Sequence, residues 1–447
     1  MRVAVIGGGI AGLAAAWELR SHAQVTVFEP AALGGRIQTG VFEGRPVDCG
    51  PDAFITRVPD ALELCEELGI DDLVAPQEGR TLLWWQGRLR TLPDGLVLGV
   101  PKHFLPLATS GLLSPLGLIR AAGDLVLPRA PVNGDLSVRD LIARRFGPEV
   151  ADRLVDPLVG GIHAGHTDAL SADSTVPQLV AVARSSRSLL LGLRRMVAST
   201  PSGPIFLAPR QGLGALVDRL VERLAQAGVD FVGAAVSGLE RDGRSWRTGP
   251  SGDPFDAVVV ATGAAEAARI LGSGAPPGLS EISAASVVLV TLGYGPLALP
   301  AGVNGALVPS QSGFLMTACS FGSAKWPHWS EPGRTVLRVS AGRDGDSRAM
   351  DLSDDQLVDR LSQEVGRALD IAEIPDQWRV SRYPNSFPQY RVGHARLVAG
   401  IAEGLGTTHP GVVVCGAAYH GAGIPACIAS GRGAARSVFR AVSHSET

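Results

Sequence analysis

The strongest constraint on the fold lies in the first 29 residues. Residues 3–6 form a short apolar run rich in β-branched side chains, and they lead directly into Gly7-Gly8-Gly9-Ile10-Ala11-Gly12. An alanine-rich stretch at 13–20 then continues with helical character. A strand that enters a GxGxxG turn and leaves as a helix predicts the start of a dinucleotide-binding βαβ unit. Gly7 permits the tight turn, Gly9 lets backbone approach a diphosphate, and Gly12 lets the helix lie close on the sheet. Ile10 and Ala11 open the helix, where free N–H groups and a partial positive charge meet an anion. A second apolar run, 25–28, ends in Glu29, where a carboxylate takes both hydroxyls of a ribose and repels a 2′-phosphate. This fingerprint leaves NAD and FAD both open.

The next residues bear on that choice. Leu33-Gly34-Gly35-Arg36-Ile37-Gln38-Thr39 follows the acid almost at once and resembles the second glycine motif of glutathione-reductase-like, amine-oxidase-type flavoproteins. The resemblance implies that Gly34, Gly35 and Arg36 lie near the diphosphate and the flavin, and it makes non-covalent FAD the expected cofactor. Around 386–390 there is no cysteine of the kind to which monoamine oxidases attach their flavin. A buried-strand pattern at 257–260 runs into Ala261-Thr262-Gly263, a turn that flavoproteins of this type set beside the cofactor.

The C-terminal segment Gly416-Ala417-Ala418-Tyr419-His420-Gly421-Ala422-Gly423-Ile424-Pro425-Ala426-Cys427-Ile428-Ala429-Ser430-Gly431 resembles the C-terminal FAD motif of the porphyrinogen oxidase family, the protoporphyrinogen and coproporphyrinogen III oxidases. Further pieces agree in order along the chain: Cys49-Gly50-Pro51-Asp52, Gly160-Gly161-Ile162-His163-Ala164-Gly165, Lys325-Trp326-Pro327 and Pro388-Gln389-Tyr390-Arg391. The resemblance implies cofactor contacts at Gly50, Pro51, Val236, Gly416, Ala417, Gly423, Ile424 and Pro425. Two positions depart from the pattern. Ala426 stands where the family often has aspartate, and Ala417 where related flavoproteins often have aspartate or asparagine, so contacts there fall to backbone N–H groups.

The family's fold implies an α/β architecture, with a Rossmann-type FAD domain interleaved with a sheet-based substrate domain and a helical subdomain. The expected division gives residues 1–78, 203–265 and 386–447 to FAD, 79–102 and 266–385 to the substrate sheet, and 103–202 to the helices. Periodicity supports the local elements. Residues 81–93 read as a hairpin turning at Gln86-Gly87, and Asp135 and Ser137 are expected caps for a helix over 138–146. A helix over 215–227 has a stripe at Leu216, Leu220 and Leu224, and another helix is expected over 354–369.

Composition removes several classes. A formal net charge of −3 gives no pull on nucleic acid, and 45% hydrophobic with 19% charged residues is a globular balance. Lysine occurs only at Lys102 and Lys325, so anion recognition falls to arginine forks. Five scattered cysteines without a CxxC pair fit neither a disulfide framework nor a zinc site, which suits a reducing, cytoplasmic setting. The strand pattern from Arg2 leaves no room for a leader after Met1, so the expected mature start is Met1. His163 and His166 have no third ligand nearby and read as loop residues. Cys427 reads as a small buried hydrophobe. The stripe over 112–126 reads first as groove or core and second as a peripheral membrane face.

Resemblance to this family implies six-electron oxidation of a porphyrinogen by FAD, with molecular oxygen as acceptor and hydrogen peroxide released. No catalytic base is obvious in the sequence, and the flavin N5 carries the chemistry. Arg80 occupies roughly the place of a propionate-binding arginine in the family, and a solvated surface arginine is the competing reading. Coproporphyrinogen III, with four propionates, is the expected substrate. Protoporphyrinogen IX comes next, then an amine oxidase or desaturase on the same fold, then a flavin-free escort-type carrier.

Overall fold

The computed structural model describes residues 1–128, 131–198, 203–249 and 252–443. The chain divides into two compact units: 1–75, 204–283 and 395–447 form the first, and 76–203 and 284–394 the second.

At the centre of the first unit is a five-stranded sheet. In spatial order its strands are Asp230–Val232, Gln24–Phe28, Arg2–Ile6, Ala257–Val260 and Val412–Val414, every neighbouring pair parallel. Val3, Val5, Val258 and Val260 are fully buried, as expected for strands covered on both faces. The Ile10–Leu19 helix follows the first strand, and almost all its residues are buried, alanines included. The C-terminal Ile424–Ser443 helix approaches it so closely that a Cβ on Gly431 would lie 2.0 Å from the Ala11 carbonyl oxygen. Residues 266–283, expected with the substrate sheet, belong to this unit instead. Ile270, Leu271, Leu279 and Ile282 share one core with Val398, Ile401 and Leu405.

A seven-stranded sheet organises the second unit, in the order Gln377–Pro388, Ala284–Tyr294, Thr335–Ala341, Met316–Phe321, Val303–Leu307, Arg80–Trp85 and Arg88–Thr91. Its pairs are antiparallel except that Val303–Leu307 runs parallel to Arg80–Trp85. The hairpin turns at Gln86 and Gly87, both at positive φ as a two-residue turn of this type requires. Residues 386–394 join this unit because the long Gln377–Pro388 strand pairs Phe387 with Ala285.

The helices of 103–202 gather around a core of their own side chains, which Leu83 and Val100 join from outside the region. The Arg80–Trp85 strand sends Leu83 into the helical cluster and Leu82 and Trp84 to the opposite core, beneath the Asp354–Leu369 helix. The region is therefore one layer of the second unit. Ser137 caps the Val138–Phe146 helix as expected, accepting from Asp140 N–H at 3.0 Å. Asp135 does other work: its carboxylate accepts from Ser171 Oγ and from the backbone N–H groups of Asp173 and Gly393. A π-helix spans Ala151–Gly160 with Pro157 inside it, a position where the missing N–H suits wider turns.

The stripe expected over 112–126 divides. Leu112, Leu113 and Ala121 are buried, whereas Leu116, Ile119 and Val126 are 77%, 70% and 74% exposed. Asp124 faces inward and accepts from Ser188 Oγ, Leu189 N–H and Leu190 N–H, capping the Leu189–Ala198 helix. It also forms a 3.2 Å ion pair with the buried Arg145. Among the described residues, no helix is long and apolar enough to cross a membrane.

Replacing Asp124 with alanine leaves the buried Arg145 guanidinium with only the Ser186 and Arg187 carbonyls, without its carboxylate, and uncaps the helix, a loss of about 3–5 kcal/mol. Thermal unfolding of Asp124→Ala is expected to show a transition lowered by about 10 °C. An unchanged transition would mean that Arg145 finds other compensation.

Candidate cofactor site

All twenty residues expected at the cofactor fall within the first unit, and the Gly7, Ala261 and Gly416 turns follow the ends of its parallel strands. Gly7, at φ +109°, donates its N–H to Phe28 O, and a Cβ there would meet Ala261 O at 2.8 Å. The Gly7 turn therefore lies against the Ala261-Thr262-Gly263 turn. A Cβ on Gly12 would fall 2.0 Å from Gly7 O, so only glycine lets the helix follow the turn this tightly.

Gly9 is the N-cap of the Ile10–Leu19 helix, with no side chain capping it and no acid in its first turn. A Cβ placed on Gly9 would find nothing within 4 Å. An open backbone surface at an uncapped helix start fits a diphosphate. The second glycine motif closes over this turn. Gly34 donates its N–H to Gly8 O at 2.7 Å, Gly9 and Gly34 form a parallel bridge, and a Cβ on Gly35 would sit 3.4 Å from Gly9 Cα.

Glu29 is oriented by two backbone amides. Its Oε2 accepts from Gly8 N–H at 2.8 Å and its Oε1 from Ala31 N–H at 3.0 Å. Each oxygen keeps a second lone pair, which suits the ribose-binding role expected of it. Cys49 N–H donates to Gln38 O at 2.8 Å, fastening the Gly50-Pro51 turn to the end of the glycine-doublet segment. Val236 is buried, and its carbonyl accepts from Arg269. Gly263 caps the Ala264–Leu271 helix.

At the C-terminal motif, Gly416 takes φ +111° and donates to Ser430 Oγ at 3.0 Å. A Cβ on Gly416 would be 3.6 Å from Ala11 Cβ, so this turn meets the first helix near its start. Gly423 O accepts from Cys427 N–H as the helix beginning at Ile424 and Pro425 opens, and Ala417 is half-buried. Burial pushes the Cys427 thiol up to about 11, and the nearby Arg36 guanidinium opposes part of that rise. Arg36 of the second motif is thus brought to the C-terminal motif. Cys415 is likewise pushed to about 12 by burial, so both thiols are protonated packing groups.

The arrangement has the parts that a dinucleotide needs: a bare backbone turn for phosphates, an oriented carboxylate for ribose, and two further glycine turns around it. A family described as flavin containing amine oxidoreductase matches residues 10–439. The chain belongs to this family. It is a flavin-dependent oxidoreductase, and its cofactor is FAD. The coproporphyrinogen III oxidase of Bacillus subtilis (strain 168) is 32% identical over 97% of this chain and 96% of its own length. The protoporphyrinogen oxidase of Bos taurus is 31% identical over 98% of each chain. A crystal structure from Exiguobacterium sp. 255-15 superposes with a TM-score of 0.90 at 29% identity, covering 98% of both chains.

In the second unit of this oxidoreductase, two motifs that the sequence carries far apart meet. Gln389 Nε2 donates to His163 O at 2.9 Å, Ser171 N–H to Tyr390 O at 2.7 Å, and the His163 and Tyr390 rings lie 6.3 Å apart. Tyr390 also stacks on His394 at 4.3 Å. Burial lowers His163 to about 4, which keeps it neutral near pH 7. Among the described residues no group of three His, Cys, Asp or Glu side chains is placed to hold a metal. Arg80 opens its strand exposed, its N–H donating to Gly302 O, and makes no ion pair among the described residues.

Sequence reasoning did not single out Ser430 and Asp48. The serine sits one residue before Gly431 in a motif read chiefly for its glycines, and the buried aspartate carries no spacing signal.

Gly12→Ala is expected to purify with little or no bound flavin, and Glu29→Ala to bind FAD about tenfold more weakly, both read from flavin absorbance per protein. A fully yellow Gly12→Ala protein would show that the cofactor does not depend on this turn.

Proposed function

We propose that the enzyme oxidises coproporphyrinogen III to coproporphyrin III in heme biosynthesis, with three molecules of oxygen reduced to three of hydrogen peroxide. Bound FAD supplies hydride acceptance at its N5 and reoxidation by oxygen. The full-length match to the Bacillus subtilis coproporphyrinogen III oxidase carries the reading. Porphyrinogen oxidation gains macrocycle aromaticity, so the chain's own task is to bind, orient and shield rather than to supply a strong base. His163, which burial lowers to about 4, is neutral near pH 7 and accords with that division of labour.

The four propionates of coproporphyrinogen call for arginine forks, and Arg80 is the proposed propionate contact. Protoporphyrinogen IX, with two propionates, is the second reading because of the bovine relative. An amine oxidase reading needs a lysine beside the flavin. Lys325, one of the chain's two lysines, belongs to the Lys-Trp-Pro motif shared with the porphyrinogen oxidases, and its Nζ lies over the Trp326 ring, 5.3 Å from its centroid.

We also propose a peripheral contact with an anionic membrane through the exposed Leu105, Leu116, Ile119 and Val126. Arg187, Arg194 and Arg195 are exposed in the same helical layer, and the helices Phe104–Thr109, Pro115–Val126 and Leu189–Ala198 carry one carboxylate, the buried Asp124. Apolar side chains beside unopposed arginines suit an anionic lipid surface.

The purified yellow protein is expected to oxidise coproporphyrinogen III faster than protoporphyrinogen IX at matched concentrations, measured by porphyrin fluorescence and peroxide release. A preference for protoporphyrinogen IX would move the enzyme to the second reading, and no turnover of either would reject porphyrinogen oxidation. Phosphatidylglycerol vesicles are expected to sediment the wild type, and to leave Ile119→Glu in solution. Equal sedimentation of both, or of neither, would remove the membrane contact.

A further inference from the structure

Asp48 is a carboxylate with 1% exposure at the end of the Arg45–Asp48 strand, and no step above uses it. Its Oδ1 accepts the Thr39 hydroxyl, from the paired residue on the adjacent strand, and also the Leu213 N–H at 2.8 Å. The Thr39 oxygen accepts in turn from Gly214 N–H at 2.8 Å. Leu213 and Gly214 open the Gly214–Gln226 helix, whose N-cap residue supplies no side-chain cap of its own. The helix is therefore capped in trans by two residues of the Thr39–Phe42/Arg45–Asp48 ribbon. An anion at that end also meets the positive end of the helix dipole.

The local glycines are shaped to this contact. Gly212 takes φ +87°, and a Cβ there would lie 2.4 Å from Thr39 Oγ1 and 2.8 Å from Asp48 Oδ1. One turn into the helix, Val217 packs where a Cβ on Gly34 would come within 2.9 Å. The same helix thus supports the glycine doublet from below while its start is tied to Thr39 and Asp48. Thr39 lies three residues after Arg36, and Asp48 two residues before Gly50. Two cofactor-binding turns hang from one buried carboxylate.

We propose that Asp48, acting through Thr39 and the start of the Gly214–Gln226 helix, is a positioning residue that sets the geometry of the Gly34–Gly35–Arg36 and Gly50–Pro51 turns for FAD. The proposal rests on the flavin reading. Apoprotein prepared from the holoenzyme is titrated with FAD by quenching of flavin fluorescence, and apoprotein melting is recorded alongside. Asp48→Ala is expected to weaken FAD binding about tenfold or more, and Thr39→Val similarly. Asp48→Asn and Thr39→Ser, which keep an acceptor and a hydroxyl in place, should stay within about threefold. The visible flavin band of Asp48→Ala holoenzyme should shift, and that of Thr39→Ser should not.

A role confined to folding would lower apoprotein melting and leave FAD affinity and the band unchanged in Asp48→Ala, or in Thr39→Val should Asp48→Ala fail to fold. That result overturns the proposal. Wild-type apoprotein that fails to bind FAD would instead reject the flavin reading itself.

Discussion

In the cofactor-binding unit, backbone meets backbone at two places where no side chain fits. Gly12 sits over the Gly7 carbonyl, and Gly431 over the Ala11 carbonyl; a Cβ at either would lie 2.0 Å from the oxygen. The first contact fixes how the Ile10–Leu19 helix leaves the sheet. The second brings a helix from the far end of the chain against the same turn of that helix. Because both contacts share this one helix, the N-terminal and C-terminal motifs are held to a single frame, and the open surface of Gly9 lies within it. Close packing here is thus a condition for binding as well as for stability.

What the sequence made legible was mostly local. The strand, glycine turn, helix and acid of residues 2–29 carry their meaning in adjacent residues, as do the Gln86–Gly87 turn and the Asp354–Leu369 helix with its Ser353/Gln356 capping box. Their hydrophobic periods and turn residues are sufficient. The limits of the units were less legible, because they depend on which distant apolar side chains share a core. Ile270 and Leu279 look no different in sequence from residues of the substrate sheet, yet they pack with Ile401 and Leu405. The helical layer is similar: Leu83 belongs to it only because a strand alternates its faces.

Buried carboxylates were the least legible elements. Asp48, Asp124 and Glu364, together with the half-buried Asp135, each accept backbone amides from segments remote in sequence; Glu364, for example, receives the N–H groups of Leu315 and Met316. An aspartate before a helix suggests a local cap, which is how Asp135 reads until Ser137 is seen to fill that role. Each of these acids instead fastens a chain segment that has no partner nearby. Such acids have no periodicity or spacing to reveal them, since the need they meet arises only when the segments come together. The orphan amides of helix starts and strand ends are the common cause.

The same economy governs the cations. A chain with two lysines and many arginines suggests a supply of forks for carboxylate substrates, but many of those forks are already engaged. Arg2 pairs with Asp253, Arg334 with Asp376, Arg382 with Asp354 and Arg432 with Glu67. Arginines so paired would have to give up a carboxylate to take a propionate, and little would be gained by the exchange. Composition therefore does not measure the capacity of the enzyme for a polyanionic macrocycle. Arg80, exposed at the start of a sheet strand and without an ion pair among the described residues, is a guanidinium of the kind the proposed propionate contact requires. On the proposed reading, selectivity between four propionates and two depends on where such unpaired groups stand rather than on how many arginines the chain carries.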